Sequence, residues 1–462
     1  MEPQRTAPSL FSEIKLPYLS LCFTVLLPSS LFVHTSSSLA AYDLFATYGS
    51  NIIQGITFLG LAFGAPRLRR IRHRKSSLRV ASIIATVGVA VTEIAAPTSN
   101  LLPLFASGVL LALVGSAVLY LSWLGAYVRL GTMRTLACYA GSLALAAFLQ
   151  GVLAEAPPPA GAILLAFFPL LSAWGLLRTL DLSNNDTGEE QTTYEWRFPW
   201  RPIALFSVFT FAFKLSLNLL PESHKALAIA MGTFAAAAIV LALMAHFGRK
   251  TDLQLLYSIS LPCAIAGLLF AIDASASYPE VGVMLVAISR ELFTSFMVVV
   301  LCNMCFRNGI DAFWLFGLVF AFSRLASLAA NAVATMATSG EIAISSTISV
   351  TTVIVACVFV VFTSDRNAES LWGIRKRTSH EDGNASLTDT DIAMHKLARS
   401  CNLTLREEEI ALLRLQHLTV AEVASLLYIV PATVKTHMNR IYRKTETHSI
   451  EELIVLLGEY RK

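Results

Sequence analysis

"LTLREEEIALLRLQHLTVAEVASLLYIVPATVKTHMNRIYRKTETHSIEELIVLL", residues 403–457, is punctuated by its own helix starts. Thr404 with Glu407, Thr419 with Glu422 and Ser449 with Glu452 each have the S/T-x-x-E spacing, in which hydroxyl and carboxylate satisfy the free N–H groups of a first helical turn. Leu418 and Val423 stand where a hydrophobic staple would set the entry angle of the second helix. Pro431 suits a first-turn position, where its missing N–H is harmless. The pattern predicts four short helices, at about 405–417, 420–427, 431–444 and 450–459.

The second and third of these form a short helix, a tight turn and a longer basic helix. That is helix-turn-helix spacing, in which the later helix enters the DNA major groove. On the third helix Val434, Met438 and Ile441 recur at three and four residues and must face a small core. Lys435, Thr436, Asn439 and Arg443 then fall on an outward face. Asn can bond adenine bidentately, and Lys and Arg can serve guanine or phosphate. A solvated basic face on an ordinary helical bundle would carry the same charges, so charge alone does not decide.

The decisive residues are Leu403, Thr404, Arg406, Glu407 and Glu409; Glu422 to Ala424; Leu427 and Ile429; Thr433 to Lys435 with His437; and Ile441 to Lys444. In this order and spacing the segment resembles the LuxR-type (GerE-like) helix-turn-helix of bacterial transcription regulators. The resemblance implies a four-helix domain that pairs through its last helix, "IEELIVLL", and binds double-stranded promoter DNA as a homodimer, with RNA polymerase a further candidate partner. It also implies that Lys435, Thr436 and Asn439 face bases while Thr433, Arg443 and Lys444 meet phosphates. Three positions depart from the pattern. Val430 stands where a capping Ser is usual, at a cost of about 1 kcal/mol. His417 replaces a Gly, and Thr445 replaces a Leu, which predicts a looser packing corner.

From Asp365 to Lys462 the chain holds fourteen Lys/Arg and fourteen Asp/Glu, so any field that draws DNA is local to the third helix. Residues 365 to about 388 are rich in Ser, Asn, Asp and Gly without periodicity and read as a linker with a reach of roughly 25–30 Å. The expected division is a cytoplasmic linker over 365–402, with a short helix near its end, and the reader domain over 403–462.

Before the linker the composition is of another kind. A chain that is 55% hydrophobic and 14% charged has too little polar surface to cover its apolar content in water. Apolar runs long enough to cross a bilayer, roughly 20 residues each, occur twelve times. They lie at about 17–37, 42–64, 78–97, 101–122, 132–153, 160–180, 202–221, 224–247, 253–272, 280–304, 311–336 and 342–364. Arg67, Arg69, Arg70, Arg72, Arg74, Lys75, Arg79, Arg129, Arg134, Arg197, Arg201, Arg249, Lys250 and Arg307 fall on one side of this topology, and only Lys225 among the opposite loops. That asymmetry places both termini in the cytoplasm and the spans in the inner, cytoplasmic membrane. The fold class expected is all-α: a polytopic domain over 1–364 in two six-helix halves, 1–180 and 202–364, plus the small C-terminal domain.

Gly248, Arg249 and Lys250 after span eight, with Gly64 and a basic cluster after span two, resemble the cytoplasmic signature of the major facilitator superfamily. Both copies lack the signature's Asp, Ala245 standing there in the second half, which sets transport itself in question. Lys214, Arg290, Glu291 and Arg324 lie at membrane depth, where a charge must be paired or wetted. They are the candidate ligand-binding residues for a small anion such as a carboxylate, with Glu291 as counter-charge; helix registration by an ion pair is the plainer alternative. His34, Gln54 and Asn218 could line the same cavity. Cys302 and Cys305 have C-x-x-C spacing but no companion ligands, and read as packing residues rather than a metal site.

The sequence contains no Gly-rich phosphate loop, no nucleophile with a base and no metal-ligand set. A non-enzyme with no cofactor is expected: a membrane-anchored, one-component transcription regulator in contact with lipid and an unknown small-molecule ligand. The alternative is a major-facilitator-like transporter with a regulatory tail.

Overall fold

Hydrocarbon offers the backbone no partners, so an apolar chain satisfies its N–H and C=O groups internally as helices. The computed structural model describes residues 15–31, 44–68, 75–95, 102–183, 199–220, 225–247, 253–270, 279–364, 394, 396–398, 400–401, 403–415, 418–427 and 431–459. All regular structure among them is helical, and the chain divides into two compact units, Met1–Lys376 and Arg377–Lys462.

The first unit contains α1 (Leu21–Ser30), α2 (Ser50–Leu68), α3 (Lys75–Ala95), α4 (Leu102–Tyr127), α5 (Thr132–Glu155) and α6 (Pro158–Ser183). Six more follow: α7 (Trp200–Leu219), α8 (Lys225–Phe247), α9 (Leu253–Phe270), α10 (Pro279–Asn308), α11 (Ala312–Thr338) and α12 (Ile344–Ser364). Each expected span meets one of these helices. Eight of the twelve are individually long and apolar enough to cross a membrane, and shorter apolar helices cover Leu16–Pro28, Leu255–Phe270 and Ile344–Val358. The first span is not one straight helix: a 3₁₀ turn at Leu16–Ser20 leads into α1, Pro28 lies inside α1, and 32–37 fall outside the described residues. A π-helical turn, Phe45–Gly49, leads into α2.

The two sets of six pack alike. The α3–α4 and α9–α10 pairs are the most extensive contacts, and the halves meet along α2–α11 and α5–α8, so that helix n in one half corresponds to helix n+6 in the other. Small residues make the closest approaches. A Cβ added at Gly88 would lie 2.2 Å from the Ala112 nitrogen, and one at Gly115 would lie 2.6 Å from the Ala81 carbonyl oxygen. In the second half Ser260 Oγ donates to the Ser289 carbonyl at 3.0 Å and Ser289 Oγ returns the bond at 2.6 Å, joining α9 to α10. The turns between α4 and α5 and between α10 and α11 each use a glycine at positive φ, Gly131 at 76° and Gly309 at 60°, where a Cβ would be strained. These two turns are themselves equivalent under the n to n+6 correspondence.

The main core is aromatic. Within the second half Phe209 stacks on Phe293 at 4.2 Å and Phe320 meets Phe206 at 5.8 Å, and across the halves Phe320 meets Phe58 and Tyr120 at 5.5 and 5.3 Å. Thr132 Oγ1 donates to Asn303 Oδ1 at 3.1 Å, tying the start of α5 to the last turns of α10.

The second unit has its own core. α13 (Leu405–Leu415), α14 (Val420–Leu427), α15 (Pro431–Thr445) and α16 (Ile450–Glu459) bury Ile410, Ala411, Val423, Ala424, Leu427, Val434, Met438, Ile441, Leu453 and Leu457 against one another. Met394 and Leu397, both without exposed surface, belong to the same core. The packed unit therefore begins ahead of residue 403, inside the stretch expected to be linker.

Candidate nucleic-acid interface

α15 is placed by its neighbours' caps. Thr404 N–H donates to Glu407 Oε2 at 2.8 Å while Glu407 N–H donates to Thr404 Oγ1 at 3.3 Å, a reciprocal capping box at the start of α13. The same pair of bonds, 2.7 and 3.2 Å, joins Thr419 and Glu422 at the start of α14. The third box is offset. Glu452 N–H donates to Ser449 Oγ at 3.2 Å, but the Glu452 carboxylate accepts from His448 N–H at 2.7 Å. Leu418 and Val423 share the core, as a staple at the entry of α14 requires.

Longer side chains lock α13 to the helix-turn-helix pair. Arg406 donates to Glu409 Oε2 at 2.7 Å and to the Leu427 carbonyl at 3.0 Å, serving the open C-terminal end of α14. Arg414 donates to the Leu418 carbonyl ahead of α14. Lys444 Nζ reaches Glu407 Oε2 at 2.7 Å, and Glu407 is only 3% exposed. Burial pushes the Glu407 carboxyl up, but the Lys444 ammonium and the Thr404 bonds outweigh it and hold it below the usual glutamate range.

With Val434, Met438, Ile441 and Thr445 buried, α15 turns the other side outward. Lys435, Thr436, Asn439 and Arg443 are exposed, and Thr433 is half-buried at the edge. Thr436 Oγ1 donates to the Ala432 carbonyl at 2.9 Å, which leaves its lone pairs facing out. Lys444 is not in this row: its ammonium is held by Glu407, so it is a structural cation first. Arg440, a cation that the expected DNA contacts leave out, is exposed one turn beyond Thr436. Helical spacing from Thr436 was the signal that could have found it.

Of the three departures, His417 and Val430 lie outside the described residues. At the third the expectation is corrected: the Thr445 corner is tight. Thr445 is buried, donates to the Ile441 carbonyl at 2.9 Å and shares a 2.8 Å bond with Thr447 Oγ1, so the hydroxyl replaces packing with hydrogen bonds. Glu446 follows at φ 54°, an unusual conformation for a residue with a Cβ. His437 is half-buried, and its Nδ1 has no hydrogen-bond partner among the described residues. Burial, then the Arg440 charge, lowers its pKa, against a smaller opposing pull from Glu407.

In the membrane unit, Arg290 Nε donates to Glu291 Oε1 at 2.9 Å, so the counter-charge is committed to its own neighbour on α10. Arg324 lies within electrostatic range of Tyr120 and Arg290, and its Nε is buried with no hydrogen-bond partner among the described residues. Tyr120 also bonds Tyr139, so α4, α5, α10 and α11 contribute to one polar cluster between the halves. Lys214, half-buried on α7, is engaged with other groups. Gln54 is buried, Asn218 lies instead in a polar seam with Asn331, and His34 falls outside the described residues. Glu93 on α3 was overlooked: its Oε1 is buried without a partner among the described residues, and a lone carboxyl within an apolar run was the sequence signal. The seven cysteines are free thiols, with Cys302 and Cys305 buried inside α10.

Residues 401–457 match the family of bacterial regulatory proteins of the luxR family. No curated protein matches the chain. Among solved structures, the crystal structure of a bacterial homologue of the iron transporter ferroportin, in its outward-facing state, aligns with a TM-score of 0.50 at 16% identity, covering 76% of this chain and 96% of that one. At that identity the likeness is one of fold. The chain thus joins a LuxR-type helix-turn-helix domain at its C-terminal end to a multi-pass membrane unit of major-facilitator-like fold.

Proposed function

We propose that this protein is a membrane-anchored transcription regulator whose membrane unit senses a small molecule and whose C-terminal domain binds promoter DNA. The observation that carries the reading is the exposed row of Lys435, Thr436, Asn439 and Arg443 on α15, braced to the capped α13 by Lys444 and Glu407, within a LuxR-type domain. Lys435, Thr436 and Asn439 take base edges, while Thr433 and Arg443 take phosphates. Lys444 reaches phosphate only from its pairing with Glu407.

The tail binds as a homodimer through α16, on which Ile454 and Val455 are exposed at 43% and 71%, apolar surface that a second copy would cover. Both termini lie in the cytoplasm and the spans in the inner membrane, so the promoter must come to the membrane surface; RNA polymerase is a candidate partner there. Confinement to two dimensions raises the tails' effective concentration, and a ligand that shifts the six-helix halves against each other changes whether two tails pair. The ligand is a small anion held by Arg324 and Arg290, with Glu291 and Lys214 setting the local charge. The buried Nε of Arg324, which has no hydrogen-bond partner among the described residues, supports this placement. The protein acts without catalysis and without a cofactor.

The likeness of the membrane unit to a transporter favours a second reading, in which solute moves and the tail adjusts expression. Binding of the full chain in nanodiscs to genomic DNA fragments, beside Lys435→Ala and Asn439→Ala, separates them. Enrichment of one sequence by the wild type, weakened about 10- to 100-fold in each variant, is the expected result. No enrichment at any salt concentration would leave the transporter reading in first place.

A further inference from the structure

α7 and α11 end beside the π-helical turn that opens α2, and between them lies a pocket of about 170 Å³ lined by Thr47, Asn218, Asn331, Ala334, Thr335 and Thr338. A hydrogen-bonded chain crosses it from one half to the other. Asn218 Nδ2 donates to Asn331 Oδ1 at 2.7 Å, and Asn331 Nδ2 donates to the Thr47 carbonyl at 2.8 Å. Tyr48 Oη and Thr335 Oγ1 share a further bond at 3.0 Å.

This wall has unused capacity. A primary amide carries two N–H donors and an oxygen with two lone pairs. Each Asn uses one donor here, and the Asn218 oxygen accepts nothing among the described residues. Thr335 and Thr338 donate back to helix carbonyls, each at 3.0 Å, and keep lone pairs for a guest. Among the described residues no charged side chain lines the pocket. An ion would therefore lose its hydration without a counter-charge, and an apolar guest would strand the amides. A cavity of about 150 Å³ holds a guest of roughly six heavy atoms, so this one has the size for a three-carbon polyol.

We propose that the pocket binds a small uncharged polyol of about the size of glycerol. Its hydroxyls both donate and accept, which matches the mixed capacity of two amides and two threonines. Because the walls come from both halves, the guest bridges them and favours the arrangement in which these helix ends are closed. The inference rests on the proposed sensing role only for its consequence: with both termini in the cytoplasm, the pocket samples solute on the non-cytoplasmic side of the membrane.

Saturation-transfer NMR on the full chain in nanodiscs tests it, with glycerol, erythritol, urea and acetate as probes. The expected result is saturable transfer to glycerol, reduced about tenfold or more by Asn218→Leu and by Thr335→Val, with little to acetate or urea. Unchanged melting temperature of the membrane unit and unchanged size-exclusion elution in both variants show that they remain folded. Absence of transfer to any polyol, equal transfer to acetate or urea, or undiminished transfer in two folded variants would overturn the proposal. The readout needs no DNA, so a failed operator search leaves the pocket standing, and a failed polyol leaves the regulator reading untouched.

Discussion

Arg443 and Lys444 are neighbours in sequence, both cationic, both on α15, yet they do different things. Arg443 is exposed, whereas the Lys444 ammonium sits on a Glu407 carboxylate that has almost no contact with solvent. Arg443→Ala should weaken binding to all DNA sequences alike and lower the salt dependence by about one phosphate contact, measured as the slope of affinity against salt. Lys444→Ala should instead destabilise the domain by about 2–3 kcal/mol, read by denaturant melting, because it leaves a buried carboxylate without its partner; the residual exposure of Lys444 keeps the loss below that of a fully buried pair. The same residues set the response to acid. The folded-state pKa of His437 is depressed, so the unfolded chain takes up its proton first. Stability is full above the unfolded value near 6.5 and falls as pH drops from there towards the folded value. Glu407, also depressed, adds a second loss that begins as pH falls below the ordinary glutamate range. Thermal melts of His437→Gln from pH 7 down to about 3 should lack the first loss and keep the second, below the ordinary glutamate range. The exposed row was legible in the sequence because helical spacing alone separates Val434, Met438 and Ile441 from Lys435, Asn439 and Arg443. The Lys444–Glu407 pair was not, since its partners stand thirty-seven residues apart on different helices.

The helix starts of the tail were written locally and formed locally. Two of the three capping boxes close with both bonds, while the third moves its carboxylate one residue upstream to His448. A cap needs only residues within one turn, so its signal survives in sequence. The reach of the tail's core was not legible in this way. Met394 and Leu397 precede the family match and carry too short a pattern to declare a face, yet both are fully buried. Leu397→Ala should therefore cost the tail about 2–4 kcal/mol in denaturant melts, as at any core leucine; a cost near zero would return the segment to the linker. At the end of α15, Glu446 holds a left-handed conformation. Glu446→Gly should raise the melting temperature of the tail, with a gain of about 0.5–1 kcal/mol, by removing the Cβ penalty.

The two six-helix halves meet where small residues allow it. A Cβ at Gly317 of α11 would lie 2.9 Å from Ala62 Cβ and 3.0 Å from the Phe58 carbonyl oxygen of α2. Gly317→Leu should wedge this seam open, lower the thermal stability of the membrane unit by about 1–3 kcal/mol, and leave DNA affinity of the separately folded tail unchanged. Loss of tail binding in that variant would mean that the two units fold together. The sequence by itself determined the twelve apolar runs, the basic loops, the helix caps and the exposed row of α15, because each rests on a period or spacing that backbone hydrogen bonding and burial impose within a few turns. Tertiary structure alone decided which helices face one another across the halves. It joined Thr132 to Asn303, 171 residues away, and Asn218 to Asn331, 113 residues away, and it gave Arg290 rather than Arg324 the carboxylate of Glu291. Such pairings depend on which faces meet when helices pack, and hydropathy, being a property of single segments, carries no record of the partner.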